Sequence, residues 1–99
     1  MFELVFTQRA HEELKHLERS PRDSGLVKQV KKTFGFLQTN LRHPSLQTHV
    51  FHSLENPYDP REKVFEAYIQ QHTPAAYRLF WCYGPQKNQL TIIAITPHP

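Results

Sequence analysis

The chain is poor in the features that would staple it or anchor it. One cysteine, Cys82, stands alone in 99 residues. A disulfide scaffold and a cysteine-based zinc site are therefore excluded, and a reducing compartment is expected. No apolar run is long: ELVF at the start and LTIIAI near the end fall far short of the ~20 residues of a membrane-spanning helix. The opening residues lack the basic segment and long apolar stretch of a secretory signal. These absences point to a cytoplasmic protein without a membrane partner. No internal repeat and no low-complexity segment is visible, and the length is that of one domain spanning residues 1–99.

What is present suffices for one core, since hydrophobic residues make up 38% of the chain and aromatics 12%. The formal net charge of +3 permits nucleic-acid binding without requiring it. Phe2, Leu4 and Phe6 alternate, as a short strand does. Thr7 is suited to cap a helix with Glu12 and Glu13 in its first turn and with Ala10, Leu14 and Leu17 as its apolar stripe. Ser20, Pro21 and Asp23 restart the chain as cap, first helical residue and capping-box acid. Leu26, Val30, Phe34, Leu37 and Leu41 then recur at helical spacing, with Pro44 as the stop. Beyond it the period changes to two. KVFEAYI, AYRLFWCY and LTIIAITP read as three strands joined by short turns. The expected fold is α+β, ordered β-α-α-β-β-β, a small antiparallel-rich sheet with two N-terminal helices packed on one face.

Several residues interrupt this pattern with chemistry. Arg78 lies mid-strand in an apolar, aromatic run, where an unpaired guanidinium is costly. It is either a phosphate clamp or a structural partner of Glu66 on the neighbouring strand. Glu66 is accordingly a base, an orienting group or a plain ion-pair partner. His49 and His52 are three apart, a metal spacing on a helix but opposite faces on a strand. The segment leads into a sheet and nothing completes a ligand set, so no metal or other cofactor is expected. His43 fits the end of the second helix, beside the negative pole of its dipole. Lys28, Lys31 and Lys32 form a one-sided basic patch, either docking RNA or simply solvated. Arg61 and Lys63 add charge before the first strand of the meander. Tyr77, Trp81 and Tyr83 alternate along one strand face; a core role fits them better than base stacking.

Taken in order, these segments resemble the RelE/ParE superfamily of toxins from bacterial toxin–antitoxin modules. FTQRAHEELKHL resembles the family's opening strand and first helix. VKQVKKTFGFLQTNLRHPSLQTH resembles its second helix and following loop. The closing strands carry an arginine on the penultimate strand and a histidine after the last. The resemblance implies a compact RNase-like sheet neutralised by a cognate antitoxin. In the RelE branch this sheet cuts mRNA on the ribosome; in the ParE branch it inhibits DNA gyrase without cutting RNA. For an mRNA endonuclease the resemblance implies Arg78 as transition-state clamp and His98 as general acid. His49 and Glu66 would be auxiliary, while Lys28, Lys31, Lys32, Arg61 and Lys63 would contact RNA. One departure stands out: many family members follow this histidine with an aromatic residue, where this chain has Pro99. The alternative is a non-catalytic binding protein of the same fold, ParE-like or domesticated. What separates the two is whether Arg78, His98 and the loop cations converge on one exposed face.

Overall fold

A computed structural model describes residues 1–98. Its elements run β1 (Glu3–Phe6), α1 (Gln8–Glu18), α2 (Ser24–Thr39), β2 (His49–Phe51), β3 (Val64–Tyr68), β4 (Tyr77–Tyr83) and β5 (Gln89–Pro97). The strands form one sheet in the order β1-β5-β4-β3-β2. All neighbours are antiparallel except β1 and β5, which run parallel. The class is therefore α+β, with a mixed, antiparallel-rich sheet and both helices on one face. Two features go beyond the sequence pattern. The edge strand β2 is too short to show a period of its own. The parallel pairing of β1 is a choice of partner that alternation does not encode.

The helix ends differ from expectation by about a turn. Thr7 does cap α1, its hydroxyl oxygen accepting the Ala10 N–H at 3.1 Å while donating to the Ile93 carbonyl at 2.7 Å. Because α1 begins at Gln8, Glu12 and Glu13 fall outside its first turn. Glu13 instead accepts the Ile95 N–H at 2.9 Å, tying the helix to the edge of β5 left free beyond β1. Ser20 makes no side-chain cap; Pro21–Asp23 form a separate 3-10 turn, and α2 starts only at Ser24. That helix stops at Thr39, well before Pro44, because Asn40 leaves helical geometry at φ −155° and ψ 80°. His43 consequently sits past the helix end. Its Nδ1 accepts the Ser45 N–H at 3.1 Å and opens a second 3-10 turn, Pro44–Leu46, rather than complementing a helix dipole.

The main core lies between helices and sheet. Ala10, Leu17, Val30 and Leu37 from the helices meet Ala67, Leu79, Trp81, Leu90, Ile92 and Ile95 from the strands. A second cluster occupies the helix-free face, where Val64, Phe80, Cys82, Ile93 and Ala94 are covered by Phe51 and Leu54. One irregularity connects the two. Trp81 pairs with Ile92 but Phe80 pairs with Ala94, so Ile93 is an extra residue, a β-bulge. Ile93 and Ala94 thus share a face. Simple alternation puts Leu90, Ile92, Ala94 and Thr96 in one row; the bulge splits that row between the two faces.

Candidate functional site

The register of the central strands assembles a charged row on the helix-free face. Tyr68 lies opposite Arg78, Glu66 opposite Phe80, and His49 opposite Glu66. Alternation along β3 sends Phe65 and Ala67 to the core and leaves Glu66 and Tyr68 on the other side. The Glu66 side chain is 5% exposed, so its carboxylate needs partners from the protein. It has two. Arg78 Nη1 donates to Oε2 at 3.1 Å, and His49 Nε2 lies 2.5 Å from Oε1. The other nitrogen of His49, Nδ1, lies 2.9 Å from the Gln47 carbonyl oxygen. Both ring nitrogens of His49 are thus engaged, one by the Glu66 carboxylate and one by the Gln47 carbonyl. One buried carboxylate thus holds both a guanidinium and an imidazole ring.

Tyr68 completes the arrangement. The Arg78 guanidinium lies 4.3 Å from the centre of its ring, and the ring of His49 meets it edge-on at 6.0 Å. Arg78 Nε is buried without a partner, whereas the side chain as a whole keeps 18% of its surface exposed. The guanidinium is therefore oriented from two sides, on a side chain that keeps part of its surface exposed. On the other flank, Thr96 pairs with Arg78. The next residue pair follows past the end of β5, where the His98 N–H donates to the Ala76 carbonyl at 2.9 Å. By alternation His98 falls on the face of Thr96 and Arg78, one row along, and it is exposed.

The remaining sequence candidates lie elsewhere. Arg61 is held by Asp59 through Nε and Nη2, both at 3.1 Å. Side-chain and backbone hydrogen bonds from Arg61 hold the Asp59 carboxyl below its ordinary range, and Asp59 in return raises Arg61. The Lys63 carbonyl accepts from buried Asn56, which fixes the loop before β3. On α2, Lys31 pairs with Glu18 at 3.6 Å, while the Lys32 ammonium sits 5.8 Å from the centre of the Phe36 ring. Of the alternating aromatics, Trp81 is buried, Tyr77 half-buried and Tyr83 exposed. Among the described residues no group of three or more His, Cys, Asp or Glu side chains is placed to hold a metal ion. Tyr68 and Thr96 were not singled out by sequence. The signal for Tyr68 was its place two residues from Glu66, on the same face.

No protein-family profile and no curated protein matches the sequence. Solved structures do match, over essentially the whole chain. The YoeB/ParE toxin from Agrobacterium tumefaciens is 13% identical at a TM-score of 0.70, covering 99% of this chain and 100% of that one. The heterotetrameric YoeB-YefM toxin-antitoxin complex from Staphylococcus aureus matches at 14% identity and a TM-score of 0.65, covering 100% and 99%. The intact E. coli RelBE toxin-antitoxin complex matches at 16% and 0.61, covering 100% and 99%. At these identities the likeness is one of fold. The chain has the fold of the RelE/ParE toxins.

Proposed function

We propose that this chain, built on the fold of the RelE/ParE toxins, is the toxin of a toxin–antitoxin module and cuts mRNA on the ribosome without a metal. The observation that carries the reading is the Glu66 carboxylate holding both His49 and Arg78 on the helix-free face, with His98 one row away. The ribose 2′-OH attacks the adjacent phosphorus, the bond to the 5′-oxygen breaks, and a 2′,3′-cyclic phosphate remains. Negative charge grows on the phosphoryl oxygens in between. A guanidinium fixed beforehand and only partly hydrated is suited to stabilise that charge. Glu66 is too deep to take a proton from a ribose, so its part is to hold Arg78 and His49 in place. His49 has both nitrogens engaged and is auxiliary to the clamp. The exposed imidazole of His98 gives a proton to the departing 5′-oxygen, and the 2′-OH proton leaves to solvent. A cognate antitoxin would neutralise the toxin.

The test is induced expression in a bacterial host of the wild type, Arg78→Ala and His98→Ala, with growth and new mRNA 5′ ends followed together. Growth arrest with cuts inside translated codons, reduced at least ~100-fold by Arg78→Ala, is the expected result. A folded product that causes neither arrest nor cuts would overturn the reading. The depth of Arg78, 18% exposed and bound to Glu66, favours a second reading: a non-catalytic binder such as a DNA gyrase inhibitor. Arrest without cleavage would select it.

A further inference from the structure

The charged row is tied to a turn that takes no part in the chemistry above. His49 is held from behind by the Gln47 carbonyl, whose oxygen lies 2.9 Å from Nδ1. The direction of that carbonyl follows from the backbone of Gln47, which is left-handed at φ 44° and ψ 43°, where it closes the 3-10 turn Pro44–Leu46. Glutamine has no special tolerance for this region, so the conformation persists only where its surroundings fix it. Three features do so. The preceding Leu46 is buried, and the Gln47 N–H donates to the Pro44 carbonyl at 3.2 Å. The Gln47 side-chain amide donates to Gln71 Oε1 at 2.8 Å. This last bond comes from a distant part of the chain. Gln71 lies in the loop between β3 and β4, and its own amide donates to the Ser45 carbonyl at 2.8 Å. It therefore grips the turn at two points, one on each side of Leu46. Its mount is fixed as well. The Gln70 N–H donates to the Tyr77 carbonyl at 3.1 Å, and Gln70 Oε1 accepts the Tyr77 N–H at 3.0 Å, closing the loop one residue before Arg78.

We infer that Gln71 is a positioning residue for the charged row: by gripping the turn at Ser45 and Gln47 it aims the Gln47 carbonyl at His49, and so keeps His49 on the carboxylate that holds Arg78. The links run from Gln71 through Gln47, His49 and Glu66 to the guanidinium. Gln71 touches no reacting atom. Without its grip the half-exposed ring of His49 loses its rear support, Glu66 Oε1 loses a fixed partner, and the carboxylate is free to turn away from Arg78. The expected effect on cutting rests on the RNA-cleaving reading above; the effect on the geometry of the row does not.

Nuclear magnetic resonance on the full chain provides the first test, comparing wild type, Gln71→Ala, Gln47→Ala and the double variant. Gln38→Ala serves as control, since its amide ties α2 to the Phe2 carbonyl at 3.3 Å, away from the row. Gln71→Ala is expected to move the nitrogen shift of His49 Nδ1 and to broaden the Arg78 Nε–H signal. Gln47→Ala, which removes the same bond from its other end, should move both in the same sense. The double variant should go little further than Gln71→Ala alone, and Gln38→Ala should leave both signals in place. The second test is cutting of mRNA on ribosomes, where Gln71→Ala should lower kcat roughly tenfold with KM within about twofold of wild type, as misplacement of a clamp does. Unmoved His49 and Arg78 signals in folded Gln71→Ala, or displacements from the two single changes that simply add, would overturn the inference. So would equal losses of cutting in Gln71→Ala and Gln38→Ala, which would mark a general loss of stability. Absence of cutting by the folded wild type would overturn the nuclease reading alone, and the two signals would still decide the role of Gln71.

Discussion

The Glu66–Arg78 pair offers a stability measurement that needs no knowledge of substrate. Glu66→Leu would strand the Arg78 guanidinium, 18% exposed, against the helix-free face without its carboxylate. Breaking a buried pair from one side costs about 3–5 kcal/mol, and the partial exposure of Arg78 places the expectation near the lower figure. In a domain of this size each kcal/mol moves the midpoint by about 4–8 °C, so a fall of at least ~12 °C follows. Arg78→Met should cost less, roughly 2 kcal/mol, because Glu66 keeps His49 as a partner. Removing both charges together should cost less than either change alone, since hydrophobic side chains replace a desolvated pair almost evenly. The coupling in the double-mutant cycle is thus expected at about 2 kcal/mol or more. His49, whose side chain is 47% exposed, should contribute under ~1 kcal/mol by the same cycle with Glu66. Thermal and urea unfolding followed by circular dichroism would measure all of these. Single-mutant costs that simply add, or a Glu66→Leu cost below about 1 kcal/mol, would refute the account of Glu66 as the anchor of Arg78 and His49.

Two further outcomes test other parts of the fold. Thr7→Ala removes both the α1 cap and the bond to the Ile93 carbonyl, and should lower stability by about 1–2 kcal/mol in urea titrations. Cys82 is fully buried and its thiol is pushed up to about 11 by desolvation. In the folded protein at pH 8 it should react with a thiol reagent at least ~100-fold more slowly than in urea, and comparable rates would show that the second core cluster is open.

What could be read from sequence follows from which physical signals are periodic. Leu26, Val30 and Leu37 announce α2 because a helix repeats its buried face every three or four residues, and Phe65 and Ala67 against Glu66 announce the two faces of β3. Pairing partners leave no such trace. Nothing in Glu3–Phe6 distinguishes a parallel neighbour from an antiparallel one, and three residues at His49–Phe51 are too few to alternate visibly. The bulge is hidden because Ile92 and Ile93 are both apolar, so the change of face has no polar marker. The same reasoning covers the site. Arg78 and Glu66 are conspicuous as charges inside apolar strands, and their pairing was one of the two readings that residue type alone allowed. Tyr68 passes as ordinary alternation, although its ring is what holds the guanidinium plane. The distribution of work among the three lysines of α2 was beyond reach, since Glu18 and Phe36 are brought to them only by the fold.

The extra residue in β5 makes the last part of the chain behave like a text whose reading frame has been shifted by one letter. The described residues after Ile93 present the opposite side from the one that counting back from Leu90 would assign. Ile95 is returned to the core for this reason, and Thr96 and His98 are delivered to the side that carries Arg78. Deleting a single residue at position 93 would remove few contacts by itself. It would nevertheless rotate the tail by half a turn, turning Thr96 and the terminal imidazole toward the helices and Ile95 toward water. Related chains could therefore gain or lose an arginine-and-histidine face through one inserted or deleted residue five positions before the histidine, with every side chain of that face unchanged.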